Sequence, residues 1–257
     1  VKRIASFFLA SVLGCIALAG AAAQQDATAL FKQGNEHYQS GDFQAAERCY
    51  RNLIESQPID SGTVYYNLGN ACFKNKKLGE AIYYWEKARR KLPADSDILQ
   101  NLDYAELMVI DRIDVPEDPL PVRLASRAAR LLTTAQESWG ILILFALGNI
   151  GMGARFLLKS PRAASKMQIS AIAFLAIAAV LTASLLWKTA YDRNHPIGVI
   201  VEPKIDLRSG PGTDNVAVAT VHEGIRVEVR NQANGWYRIA LPNGWNGWIP
   251  ASCLRIL

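Results

Sequence analysis

The sequence predicts three architectures in one multidomain chain: an α-helical repeat stack, a transmembrane helical hairpin and a small all-β barrel. Three observations carry this. Residues 30–58 and 65–93 are self-similar at an offset of thirty-five. Two runs, "SWGILILFALGNIGMGA" (138–154) and "ISAIAFLAIAAVLTASLLW" (169–187), contain no charge. After residue 196 the apolar period switches from helical to two, as in "IRVEVR".

The chain of 257 residues carries a net charge of +5, unevenly spread. The excess sits mainly in a basic start and in the short stretch Arg155, Lys159, Arg162 and Lys166, which has no acid. No folded-looking segment has the basic face that nucleic-acid binding requires. The opening, "VKRIASFFLASVLGCIALAGAAAQQ", places Lys2 and Arg3 before twenty uncharged residues that end in Ala21-Ala22-Ala23. This is the layout of a signal peptide over 1–23, cleaved after Ala23; an uncleaved membrane anchor is the other reading. A lipidated Cys15 fits less well, because apolar residues follow it. Cys49 and Cys72 read as buried free thiols, with a disulfide as the alternative. Cysteines and histidines have no metal-ligand spacing, and no cofactor motif is present.

In the two similar segments Gly34 matches Gly69, Asn35 matches Asn70, Ala46 matches Ala81, Tyr50 matches Trp85 and Pro58 matches Pro93. Each unit holds two blocks of helical periodicity around a polar turn, "QSGD" or "KNKK". The pattern predicts stacked antiparallel helix pairs, with small residues where helices approach and Phe43/Leu78 and Tyr50/Trp85 filling the gap. Gln33 stands where the second unit has Leu68. A third unit starts at 97–113, with Leu99, Leu102 and Ala105 in register, and is broken by "VPEDPLP"; its single helix would cap the stack. These residues resemble tetratricopeptide repeats, which assigns 24–114 to such a domain. The resemblance implies binding of extended peptides on the concave face of the first helices. Phe31, Asn35, Tyr38, Tyr66, Asn70, Phe73 and Tyr104 would line that face, with the two asparagines hydrogen-bonding a peptide backbone.

A linker over 115–137 holds a Pro-rich break and a basic, weakly amphipathic juxtamembrane stretch. The apolar runs then predict transmembrane helices over 138–158 and 169–187, each long enough to cross a bilayer. The basic loop between them, 159–168, is expected in the cytoplasm, which puts the repeats and the C-terminal tail outside. Gly148, Gly151 and Gly153 are expected to face Ala176, Ala179, Ala183 and Ser184. Asn149 is polar at membrane depth, with either the hairpin or a partner span to bond. No acid or histidine lies in the span cores, so an ion path is not expected.

After a linker over 188–196, residues 197–257 read as short strands separated by the turn signals "NQANG" and "PNG". "LRSGPGT" (207–213), "EGIRVEV" (223–229), "GWYRI" (235–239) and "NGWNGWIPASCL" (243–254) together resemble bacterial SH3 (SH3b) domains. Asp206 stands where the family commonly has asparagine, and Trp245 where a polar residue is usual. The resemblance implies a cell-wall or peptide ligand. Strand alternation puts Tyr237, Ile239 and Leu241 inward and Trp236 and Arg238 outward, and likewise Ile249 inward and Trp248 outward. Trp236 and Trp248 are read either as framework or as ligand contacts. Trp245, beside the Asn243-Gly244 turn, is the first choice for a ligand.

The order leader, repeats, "VIDRIDVPEDPLP", two spans and terminal SH3b domain resembles the BatE proteins of bacterial aerotolerance operons. The resemblance implies von Willebrand A-domain membrane proteins and a MoxR-type AAA+ ATPase as partners. It also implies residence in the bacterial inner membrane, with both soluble modules on the periplasmic side. The functional expectation is an extracytoplasmic scaffold that mediates protein–protein contacts; a peptidoglycan-binding anchor that recruits wall enzymes is the alternative. An enzyme is not expected, because hydrolase, zincin and P-loop motifs are missing.

Overall fold

A computed structural model describes residues 26–56, 59–113, 119–121, 123–124 and 133–257. The expected leader and most of the basic amphipathic stretch lie outside the described residues. The chain divides into two compact units, one made of the segments before Asp114 and after Ile197 and the other of Val115–Pro196.

The first unit begins with five helices. Residues 26–39 are helical (α1), followed by α2 (Phe43–Glu55), α3 (Gly62–Lys74), α4 (Leu78–Lys91) and α5 (Ser96–Met108). The Asp42 carboxylate accepts a hydrogen bond from Ala45 N and starts α2, and Asp95 does the same for α5 through Asp97 N and Ile98 N. The turn between paired helices needs a left-handed residue. Gly41 supplies it in the first unit (φ +83°) and Lys76, thirty-five positions later, in the second (φ +63°).

The predicted close approaches are present. A Cβ on Gly34 would lie 2.7 Å from Tyr50 Cε1, and one on Gly69 2.5 Å from Trp85 Cδ1. Ala46, Tyr50, Leu68, Ala81 and Trp85 are all buried in one core. In α5, Leu102 and Ala105 are buried as expected, but Leu99 is 40% exposed and Ile98 takes the core position. The reason is that the third unit follows at an offset of thirty-four, so Leu102 and Ala105 continue Leu68 and Ala71. On that register Asp103 replaces Gly69 and Tyr104 replaces Asn70. The close-approach glycine and the asparagine that receive a second-helix aromatic in the earlier units are both missing, so α5 ends the series.

The same unit includes seven strands: β1 (Ile197–Ile200), β2 (Lys204–Arg208), β3 (Ala217–His222), β4 (Arg226–Ala233), β5 (Trp236–Ala240), β6 (Asn246–Pro250) and β7 (Leu254–Ile256). They form one antiparallel sheet in the order β3-β2-β6-β5-β4-β1-β7. Register shifts at Leu207/Arg208 and Val229/Asn231 bend it around a core of Ile200, Leu207, Val221, Val227, Ile239 and Ile249.

This sheet packs on the repeat stack, a contact that the sequence reading did not include. Gly79, Ile82, Tyr83 and Glu86 recur at i, i+3, i+4 and i+7 along α4 and form its outward stripe. A Cβ on Gly79 would lie 2.5 Å from the Ile200 carbonyl oxygen, so only glycine admits β1 this closely. Lys77, the N-cap of α4, makes no side-chain cap, and Glu223 of the barrel supplies one by accepting from Gly79 N at 2.7 Å. Arg226 donates from Nε to Glu86 and from Nη1 to Glu106. Asp111 accepts from His222 N. Val199 belongs to the core of the stack, and Leu257 packs against it.

In the second unit, Thr133 and Gln136 form a capping box that opens a helix over Thr134–Ala154; a 3₁₀ turn, Arg155–Leu157, follows. The next helix runs over Pro161–Asn194 with proline at its first turn. Both helices are long and apolar enough to cross a membrane. The second spans 34 residues, about 50 Å, well beyond the hydrocarbon thickness. The predicted loop 159–168 is therefore shorter than expected. "RAASK" contains good helix formers, and Arg162 and Lys166 ride on the extended helix. Gly148 meets Leu175 and Gly151 meets Ala171, while a Cβ on Gly153 would meet nothing. The small-residue contact is thus centred on Ala171 and Leu175 rather than on Ala176, Ala179, Ala183 and Ser184. Glu137, 2% exposed, pairs with Lys188 at 2.6 Å across the hairpin.

Candidate binding sites

On the repeat stack Asn35, Tyr38, Gln39, Tyr50, Asn67 and Asn70 line a recess of about 130 Å³. Three residues of the expected face, Asn35, Tyr38 and Asn70, come together here. Phe31, half-buried, packs its ring 6.0 Å from that of Tyr50. Phe73 stands between Trp85 (5.5 Å) and Tyr104 (6.1 Å), and Tyr66 is half-buried on α3. Tyr50, Asn67 and Gln39 were missed. The signal for Asn67 was in the sequence, since Asn101 repeats it thirty-four residues on.

A ladder of hydrogen bonds sets the recess. Tyr50 donates to Asn35 Oδ1 at 2.7 Å and Asn67 donates to the same oxygen at 3.2 Å. One unit later Trp85 Nε1 and Asn101 Nδ2 donate to Asn70 Oδ1 at 2.9 and 3.0 Å. Burial, with Tyr38 nearby, pushes the Tyr50 hydroxyl up to about 12, so it stays a donor. The ladder consumes the side-chain oxygens of both asparagines, so these amides face the recess as donors only. No lining residue carries a formal charge. The arrangement is suited to carbonyl groups of an uncharged main chain.

A second recess, of about 310 Å³, lies on the barrel between Lys204, Ile205, Asp206, Arg208, Thr213, Trp236 and Pro250. Trp236 and Pro250 are direct cross-strand partners. Arg208 Nη1 donates to the carbonyls of Thr213 and Asn215 and folds the connection from β2 to β3 over the edge. Asp206 accepts from Thr220, and Lys204 has no ion-pair partner among the described residues. The recess thus combines an indole, a proline ring and an available ammonium group.

Of the four tail residues expected to bind ligand, only Trp236 lines this recess. Trp248 is half-buried and sits opposite Arg208 and Arg238 in the sheet. Arg238 is exposed. Trp245 is 56% exposed at the tip of the β5–β6 hairpin, where Gly244 has φ +88° and Asn243 Oδ1 accepts from Trp245 N. The position of Trp245 beside the Asn243-Gly244 turn agrees with its exposure, but neither turn position nor alternation can show that "LRSGPGT" and "IPAS" converge on Trp236.

Three cysteines, Cys49, Cys72 and Cys253, are free and buried. No group of His, Cys, Asp and Glu is placed to hold a metal ion among the described residues.

Comparison with known proteins identifies two modules. Residues 31–96 match the tetratricopeptide repeat model and residues 204–255 the bacterial SH3 domain model. The chain is therefore one that joins a tetratricopeptide repeat stack to a bacterial SH3 domain, with two long apolar helices between them in sequence. Among solved structures it is similar to a TPR repeats protein from Bacteroides fragilis NCTC 9343, at 13% identity and a TM-score of 0.23, over 65% of this chain and 93% of that one. It is also similar to an NlpC/P60 family protein from Bacillus cereus ATCC 10987, at 21% identity and a TM-score of 0.21, over 28% of this chain. That match spans about a quarter (23%) of the Bacillus protein's length. No match was found among curated proteins.

Proposed function

We propose that this chain is a membrane-anchored scaffold that works by binding rather than by catalysis. The observation that carries the reading is the packing of the barrel on α4. It joins two recesses of different chemistry, one on the stack and one on the barrel, in a single compact unit. The apolar hairpin anchors that unit, and the basic residues between the spans favour a periplasmic position for both modules. The order of modules supports a BatE-like role in an envelope complex, with von Willebrand A-domain membrane proteins as direct partners and a MoxR-type ATPase on the cytoplasmic side.

Affinity purification of the full-length chain from detergent-solubilised membranes tests this. A-domain proteins should be recovered, and the double substitution Tyr38→Ala/Tyr104→Ala should reduce their recovery several-fold. Recovery of none, or equal recovery with the double variant, counts against the reading. Protease added to spheroplasts should digest both modules; protection of either overturns the topology.

Peptidoglycan binding is the second reading, favoured by the recess that sets the Trp236 indole beside the Lys204 ammonium group. The barrel shares an interface with the stack, so the full-length chain is the right probe. Its sedimentation with purified peptidoglycan should fall with Trp236→Ala and Lys204→Ala. Loss only with Trp245→Ala would move the site to the hairpin tip.

A further inference from the structure

The hairpin accounts for most of its own polar groups. Glu137 is paired with Lys188. Ser138, Ser170, Thr182 and Thr189 donate to carbonyls one helical turn back. Asn149 differs. One N–H of its amide donates to the Phe145 carbonyl at 2.7 Å, and its oxygen has no donor among the described residues. It is exposed on the hairpin, eight residues before Leu157, which places it about 12 Å from that end of the helix. On the membrane-anchor reading above, on which this inference rests, that depth is hydrocarbon. An unsatisfied amide there is unfavourable.

Gly153 is likewise unexplained within the hairpin. Gly148 and Gly151 are fitted against Leu175 and Ala171, whereas a Cβ at Gly153 would meet nothing within 4 Å. Leu142, Ala146, Asn149 and Gly153 recur at i, i+4, i+7 and i+11, so they share one face, and all four are exposed. The small side chains on either side of Asn149 permit close approach of another helix.

We propose that this face pairs with the same face of a second copy of the chain, with Asn149 hydrogen-bonded to its symmetry mate. The amide selects that partner. Once Phe145 is satisfied, Asn149 retains one N–H and one oxygen. A two-fold axis beside it sets each N–H against the other copy's oxygen, satisfying both with one residue type. Glu137 and Lys188 are paired with one another, and Leu142, Ala146, Asn149 and Gly153 carry no charge, so this face asks for no partner of opposite charge.

The test uses the full-length chain in phosphatidylcholine/phosphatidylglycerol vesicles, with energy transfer between donor- and acceptor-labelled copies as the readout. Wild type should associate in proportion to its density in the bilayer. Asn149→Leu should weaken association by roughly five- to tenfold, and Asn149→Gln should restore most of it. Single cysteines placed at 146 and 153, in a background with Cys15, Cys49, Cys72 and Cys253 replaced by alanine, should cross-link between copies, whereas cysteines at 143 and 147 should not. Equal association of Asn149→Leu and wild type, cross-linking without a preferred face, or a monomer at every density overturns the pairing. In cell membranes, cross-links from position 146 or 153 to another protein, with none between copies, also overturn it. Alkaline carbonate extraction separates the two levels. Release of the chain into the supernatant defeats the anchor reading itself, whereas a retained but monomeric chain defeats only the pairing.

Discussion

The indole N–H of Trp85 donates to Asn70 Oδ1 at 2.9 Å, and the Tyr50 hydroxyl makes the equivalent bond to Asn35 one repeat earlier. Each aromatic ring also lies against the neighbouring glycine of the same motif, Gly69 or Gly34. Gly-Asn on the first helix and an aromatic donor on the second therefore form one device that closes the helix pair and orients an amide toward the recess.

This device sets the first prediction. Asn70→Leu leaves the Trp85 N–H without its acceptor in a buried setting and should cost about 1–3 kcal/mol. Gly69→Ala places a methyl 2.5 Å from the indole and should cost a similar ~1–3 kcal/mol through overpacking. Urea denaturation followed by circular dichroism measures both. A change under about 0.5 kcal/mol for either would show that the stack does not depend on the pair.

Lys76 occupies the left-handed turn position that Gly41 fills in the first repeat. Its side chain is exposed, so the backbone strain has no visible compensation there. Lys76→Gly should stabilise the protein by about 1 kcal/mol, and the reverse change, Gly41→Lys, should destabilise it by a like amount. Thermal unfolding of the pair checks the sign, which must be opposite for the two variants.

The repeat, the two apolar helices and the terminal strands were legible because each rests on local periodicity: thirty-five residues, unbroken apolar runs and alternation. The stripe Gly79, Ile82, Tyr83 and Glu86 was visible as a helical face, but its occupant was not. The bonds that define the packing, Glu223 to Gly79 and Arg226 to Glu86, join residues more than one hundred positions apart. The Trp236 recess was half legible for the same reason. Its tryptophan stands in a recognisable motif, while Lys204 and Arg208 reach it only through the pairing of β2 with β6. Glu137 and Lys188 lay just outside the uncharged runs, so a search of the runs alone missed the pair.

Packing of the barrel on α4 predicts coupled unfolding. Glu86 is 3% exposed and holds both Arg89 and Arg226. Arg226→Met removes one partner of a nearly buried carboxylate and should cost about 1–3 kcal/mol. Gly79→Val drives a larger side chain into the Ile200 carbonyl and should separate the barrel from the stack. Limited proteolysis should then release a barrel fragment that wild type protects. A single cooperative transition in Gly79→Val, with unchanged proteolysis, would contradict the close approach.

Acid should weaken the stack through Glu47. Burial pushes this carboxyl up, but hydrogen bonds from Lys77, Arg51 and Asn75 outweigh it and hold the group below its ordinary value of 4.5. A depressed carboxyl contributes stability that is fully present above its unfolded value and is lost as pH falls through the folded one. The loss therefore begins near pH 4.5 and grows as the pH drops further, releasing Lys77 and Arg51 from the Glu47 carboxylate. Glu47→Gln should be less stable than wild type at pH 7, and the gap between them should narrow as the pH falls below 4.5. Denaturation midpoints measured from pH 7 to pH 3 give both numbers, and a gap that stays constant across the range would rule out Glu47 as the group responsible.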